Sequence, residues 1–233
     1  MDSRRPALRG GGGLAPAIRC FAQAMWGRGR PHPFLESTAG TRLPRSFSRA
    51  CINHDILPTR FVLVVKAVGQ TIQIFEQARL FPLNRYGLDR ARAVRFGRYF
   101  HRKRYLTSTS RFGIGQIANS NRTPAGLHRV AEKIGGGQPI GTVFRSRKPV
   151  GLTWQGMPTA MIVHRILWLE GLEPGLNRGG RVDSYSRYIY IHGFGDETTL
   201  GRAVSLGCIH LAAADLLPLF DLIPSGTLVW IEE

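Results

Sequence analysis

The stretch from Ala160 to Leu169 sets the tightest limit on what this chain can become. Met161, Val163, Leu167 and Leu169 alternate with Ile162, His164, Ile166 and Trp168, and both faces so formed are largely apolar, with Arg165 the exception. Successive strand side chains point to opposite faces, so a segment apolar on both must be covered on both and belongs in the middle of a sheet. Neighbouring patterns agree. Phe61-Val62-Leu63-Val64-Val65 is apolar and rich in β-branched residues, and Thr71 to Phe75 alternates with Ile72 and Ile74 on one face. With Ala67-Val68-Gly69 as a turn between them, they read as a β-hairpin opening a domain. Further strands are expected over 105–109, 127–131, 188–192 and 227–231. Helical spacing is clear only from Ala212 to Leu222, where Leu216, Leu219 and Phe220 recur, Asp215 suits the early part, and Pro218 is expected to divide the segment into two short turns. Many strands and few helices imply a mainly β domain, a sandwich or barrel with one or two short helices.

Apolar residues make up 43% of the 233, enough for a core from about Arg60 onward. The sequence therefore predicts a domain over 60–233. Residues 1–59, with a glycine run at Gly10 to Gly13 and Pro16, Pro31, Pro33, Pro44 and Pro58, read as a basic, poorly ordered N-terminal arm. The formal charge of +17 is uneven: residues 1–60 hold ten Arg against three acids, and residues 85–104 hold seven Arg and Lys103 against Asp89, so each contributes +7 and the rest only +3 (17 − 7 − 7). The segment 79–104, with Pro82 and Gly87 and no clean period, is expected to be an inserted surface loop or short helix. Such basic segments attract anionic polymers or membrane surfaces, and the plainer alternative is that they are solvated. They lack interleaved aromatics and a binding motif, which argues against a specific nucleic-acid partner. The N-terminus makes a poor signal peptide, because the apolar stretch from Leu14 to Phe21 is short and broken by Pro16 and Arg19.

Chemistry concentrates between Tyr190 and Leu211. The three cysteines, Cys20, Cys51 and Cys208, form no disulfide framework, and the seven histidines have no metal-ligand spacing. Cys208 follows Ser205-Leu206-Gly207, and a glycine before a cysteine permits a tight turn and convergent backbone N–H groups, able to hold an oxyanion. His192, at the end of an apolar strand and before Gly193, is spaced so that imidazole and thiol can meet as base and nucleophile on an acyl centre. The Gly193 carbonyl is placed to fix the imidazole tautomer, as a carboxylate does in other triads. Taken alone, a cysteine and a histidine in a β domain are more often packed residues than a dyad.

The surrounding residues change that balance. His192-Gly193, then Ser205, Gly207, Cys208 and Ile209, resemble the L,D-transpeptidase (YkuD-type) catalytic domain, whose pattern is a His-Gly pair followed by Ser/Thr-His-Gly-Cys, an apolar residue and Arg or Asn. Thr123-Pro124-Ala125-Gly126 is similar to the family's Thr-Pro-x-Gly turn, and the likeness runs over roughly 60–233. It implies a cell-envelope enzyme of bacteria that needs no cofactor. Cys208 would attack a peptidoglycan stem peptide, His192 would move the proton, and a thioester would pass to an amine or, as in a carboxypeptidase, to water. It also implies inhibition by β-lactams of the carbapenem class. Backbone N–H groups from Leu206 to Cys208 would hold the oxyanion, and His210 and His128 are candidates for lining the substrate cleft. Two positions depart from the family. Leu206 stands where the pattern has His, and His210 where it has Arg or Asn. A homologue that has lost turnover and acts as a peptidoglycan-binding module is therefore the alternative.

Overall fold

The computed structural model describes residues 42–78 and 98–233. Most of the expected arm and most of the arginine-rich segment lie outside the described residues. The chain divides into two units at Thr38/Ala39, and the architecture below is that of the second.

Helix α1 (Arg45–Asn53) precedes strands β1 (Phe61–Lys66), β2 (Thr71–Gln77), β3 (Tyr99–Leu106), β4 (Gly126–Ile134), β5 (Thr142–Arg145), β6 (Lys148–Leu152), β7 (Val163–Gly171), β8 (Tyr190–Gly193) and β9 (Ile209–Leu211); helix α2 (Ala213–Leu222) and β10 (Leu228–Glu232) complete the domain. The described residues are thus mainly β. The strands run in the order β3-β2-β1-β10-β4-β7-β5-β6, with β8 on β7 and β9 on β8. The expected hairpin is β1 with β2, antiparallel from Phe61 opposite Glu76 to Lys66 opposite Thr71. The expected central strand is β7, which has β4, β5 and β8 as neighbours. Beyond β3, Ser108 and His210 exchange backbone hydrogen bonds, with Ser108 N–H donating to His210 O (3.2 Å) and His210 N–H to Ser108 O (2.9 Å). This isolated bridge ties the segment after β3 to β9.

Strand alternation distributes the core. Phe61, Leu63 and Val65 point to one side with Ile72, Leu167, Ile191, Ile209 and Leu211, where Leu216, Leu219 and Phe220 of α2 also pack. Val62 and Val64 point to the other side, against Phe47, Ala50 and Cys51 of α1. That is why β1 is apolar throughout.

Three expectations need correction. Among the described residues, regular structure is present from Arg45, ahead of Arg60, because α1 buries Phe47 and Cys51 completely against the sheet. The segment 79–104 is not all loop, since residues from Tyr99 pair with β2 as an edge strand. Charge suits an edge, where one side of the strand has no neighbour. Arg102 there pairs with Glu76, and Lys103 with Asp215 at 3.0 Å. Pro218 does not split α2, which is continuous over ten residues; burial of Leu216 before it and Leu219 and Phe220 after it holds both halves on the core.

Candidate active site

Strands β8 and β9 lie side by side and parallel, with Ile191 opposite Ile209, His192 opposite His210 and Gly193 opposite Leu211. The period of two then sorts their side chains. Ile191, Ile209 and Leu211 enter the core. Tyr190, His192 and His210 face the other way, and Cys208, one residue before β9, packs with Tyr190 against Trp168, Phe144 and Ile166. The candidate nucleophile and base therefore share one face of one strand pair. This follows directly from the Tyr-x-His and Cys-x-His spacings.

The loop that carries the thiol is held from several sides. Ser205 Oγ donates to Cys208 O (2.6 Å) and accepts from Gly207 N–H (3.2 Å). Thr123, fully buried in the Thr-Pro-x-Gly turn, donates from Oγ1 to Gly207 O (3.0 Å). Gly207 has φ +120°, with Arg122 O near the space a Cβ would take, so the turn requires glycine. Leu206 is 48% exposed and lines a cavity of about 260 Å³ with Arg187 and Tyr188, so the side chain at the departing position faces solvent rather than supporting the loop.

His192 is buried, and its Nδ1–H donates to Gly193 O at 2.7 Å. The Gly193 carbonyl thus stands where a triad carboxylate would, and Nε2 is left as the basic nitrogen. Gly193 also has a steric reason to be glycine: a Cβ would lie 2.7 Å from Val163 O and overlap the His164 ring. Burial pulls the His192 pKa down to about 4, with the Gly193 bond opposing. Cys208 is half-buried, and burial pushes its thiol up to about 11, against the Tyr190 backbone bond and the nearby Arg187 charge, which both lower it. Its S–H donates to Tyr188 O at 3.4 Å. Burial thus shifts both groups toward their neutral forms.

His210 joins the cluster. Its ring centroid is 4.8 Å from that of His192, and it stacks on Phe194 at 4.6 Å. Burial, then His192, brings its pKa down to about 3, and its buried Nδ1 has no partner among the described residues. His128 is elsewhere. It is fully buried, with Nδ1 on Gly126 O (3.0 Å) and Nε2 on Ser184 Oγ (2.9 Å), which makes it a structural residue and removes it from the cleft. Glu197 accepts from Ala213 N–H at 2.6 Å and so satisfies a free donor of the first turn of α2.

Arg187 was not singled out in the sequence as a site residue. Half-buried beside the thiol, it donates to the carbonyls of Gly115 (3.3 Å), Gln116 (2.7 Å) and Arg122 (2.6 Å), tying the loop before β4 to the site. Tyr188, at φ +56°, turns its carbonyl to the sulfur. Only its position two residues before Tyr190 hinted at this. No group of three or more His, Cys, Asp or Glu able to hold a metal ion occurs among the described residues.

Comparison with known proteins adds a family. The model of the YkuD family, described as the L,D-transpeptidase catalytic domain, matches residues 89–231, more than half of the chain. No curated protein sequence matches. Among solved structures, an L,D-transpeptidase from Mycobacterium smegmatis shares 11% identity at a TM-score of 0.40, covering 75% of this chain and 59% of that one. An L,D-transpeptidase from Mycobacterium tuberculosis H37Rv shares 18% identity at a TM-score of 0.41, covering 75% and 58%. L,D-transpeptidase 3 from Mycobacterium tuberculosis, in complex with a faropenem-derived adduct, shares 18% identity at a TM-score of 0.40, covering 75% and 60%. This chain thus spans less than two thirds of the length of those proteins.

Proposed function

Because the chain belongs to the YkuD family of L,D-transpeptidase catalytic domains, we propose that it transfers a peptidoglycan stem-peptide acyl group through a thioester on Cys208. The observation that carries this reading is the shared face: His192 projects from β8 and Cys208 from the residue that leads into its parallel neighbour β9, with the His192 tautomer set by the Gly193 carbonyl. In this mechanism His192 Nε2 takes the thiol proton as sulfur attacks the carbonyl carbon, so charge forms only along the reaction path. The N–H groups of Leu206 and Cys208 serve the oxyanion, since Gly207 N–H is already given to Ser205 Oγ. Collapse of the tetrahedral intermediate expels the terminal residue's amine, which takes the proton from His192. An incoming amine, or water in a carboxypeptidase outcome, then resolves the thioester. No step calls for a cofactor. The place of action would be the bacterial cell envelope, with carbapenem-type β-lactams acylating the same sulfur, and the domain would run from α1 to β10 behind a basic N-terminal arm.

Incubation with a carbapenem followed by intact-mass measurement tests the proposal. The expected result is one adduct, mapped to Cys208 and absent from Cys208→Ala. Equal adduct yield on the Cys208→Ala protein would overturn it. The second reading, a wall-binding module without turnover, draws on the high thiol pKa and the Leu206 and His210 departures. It predicts retention on purified peptidoglycan with no adduct on any cysteine.

A further inference from the structure

Building on the acyl-transfer reading, we propose that Arg147, at the tip of the β5–β6 hairpin, is a specificity-determining residue that selects acyl donors bearing a carboxylate close to the reacting carbonyl. Ser146 and Arg147 form the turn, with φ of 47° and 67°, and direct the arginine back over the site. Its guanidinium carbon lies 4.7 Å from the Trp168 ring centroid and 5.1 Å from that of Tyr188, and Nη1 approaches the Tyr190 hydroxyl at 3.4 Å. Trp168 stacks on Tyr185 at 4.0 Å, and Cys208 packs against the same cluster. Tyr190 shares its face with His192, the two rings 6.3 Å apart. Arg147 thus reaches Tyr190, and Tyr190 belongs to the cluster against which Cys208 packs.

Arg147 is not engaged in an ion pair among the described residues; unlike the exposed Arg145 and Lys148 beside it, it is held half-buried against aromatic rings. Glu76 takes Arg60 and Arg102, Asp215 takes Lys103, and Glu232 takes Lys66. The carboxylates nearest the aromatic cluster are also committed: Glu170 pairs with Arg129 at 2.6 Å, and Glu132 accepts the Tyr185 hydroxyl. A guanidinium held by its face against aromatic rings keeps N–H groups along its edge, the geometry that receives a carboxylate through two parallel hydrogen bonds. A half-buried, unneutralised and oriented arginine on the aromatic cluster that packs Cys208 therefore favours an anionic donor.

The test compares alkylation of Cys208 by iodoacetate and by iodoacetamide, quantified by peptide mapping. Each reagent forms the same sulfur–carbon bond and releases iodide, so their rate ratio reports the effect of reagent charge. Arg147→Gln should lower the iodoacetate-to-iodoacetamide ratio about fivefold, the size expected from losing one partly exposed charge contact. Arg147→Lys should restore part of it, and Lys148→Gln, an exposed neighbour on the same hairpin, should leave it unchanged. The iodoacetamide rate alone verifies that the thiol stays folded and accessible in each variant. An unchanged ratio in Arg147→Gln, or an equal fall in Lys148→Gln, overturns the proposal. A charge effect as expected together with no carbapenem adduct on the unaltered protein would instead overturn the acyl-transfer reading and leave anion selection by Arg147 standing.

Discussion

His192 and His210 face each other as register partners on parallel strands, their imidazole centroids 4.8 Å apart. The two have different settings. His192 has its Nδ1 committed to Gly193, whereas the buried Nδ1 of His210 has no partner among the described residues. A buried polar atom without a partner costs on the order of 1–3 kcal/mol, and such costs tend to persist where a ligand uses the atom. His210→Leu should therefore leave thermal stability unchanged or raised, and lower the carbapenem acylation rate about tenfold, the worth of one hydrogen bond to the ligand. Differential scanning calorimetry and stopped-flow acylation on the same protein check both halves. A destabilised variant with full acylation would make His210 a packing residue only.

In the proposed mechanism Cys208 and His192 rest neutral, and that has a kinetic signature. A preformed thiolate–imidazolium pair would give a Cys208 alkylation rate that levels off below neutral pH. With the thiol pushed up to about 11 and His192 down to about 4, the rate with iodoacetamide should instead climb nearly tenfold per pH unit from 6 to 9. His192→Gln should leave that slope intact while lowering acylation by a carbapenem roughly 100-fold, since general-base assistance contributes about 10²–10⁴. A plateau near pH 6 would reverse the assignment of the resting state.

Helix α1 belongs to the folded domain, which makes the position of the N-terminal boundary measurable. Phe47 is wholly buried against Val62, Val64 and Phe75. Phe47→Ala should cost about 3–5 kcal/mol, the usual range for a buried phenylalanine. A protein beginning at Arg60 should melt well below one beginning at Arg42, and should bind a hydrophobic dye through the uncovered sheet face. Equal melting temperatures would return the boundary to residue 60.

The parts of the fold legible in the sequence were those in which one strand carries its own evidence. The all-apolar β1, the doubly apolar β7 and the alternation of β2 required burial whatever their neighbours. Strand β3 did not announce itself, because Arg102, Lys103 and Arg104 are tolerated only through its edge position and through Glu76 and Asp215, which come from other elements. Helix α1 was hidden for a similar reason: nine residues with three apolar contacts form a helix only once the sheet is there to receive them. At the site, the spacing of His192 and Cys208 and the role of the Gly193 carbonyl were readable. Arg147, Arg187 and Tyr188 were not, since each acts across a distance in sequence of twenty or more residues. His128 misled because a position after the Thr-Pro-x-Gly turn fits a cleft wall, and only the Ser184 hydroxyl, 56 residues away, shows where it points.

His128 also gives the domain an acid-sensitive term. Complete burial pulls its pKa down to about 4, against an ordinary value of 6.5. Below pH 6.5 the unfolded chain takes up a proton there that the folded protein refuses, so the stability contributed by this residue is full above pH 6.5 and is lost as the pH falls toward 4. Between pH 7 and 5 the loss is about 2 kcal/mol for this residue alone. His164, His192 and His210 are lowered in the same direction and add to the slope. Urea unfolding of the unaltered protein should therefore show a falling midpoint across that window, and His128→Gln, less stable at pH 7 for want of one buried hydrogen bond, should lose less on acidification. The two stability curves should converge toward pH 5. Parallel curves would mean that His128 takes up its proton in the fold as readily as in the unfolded chain.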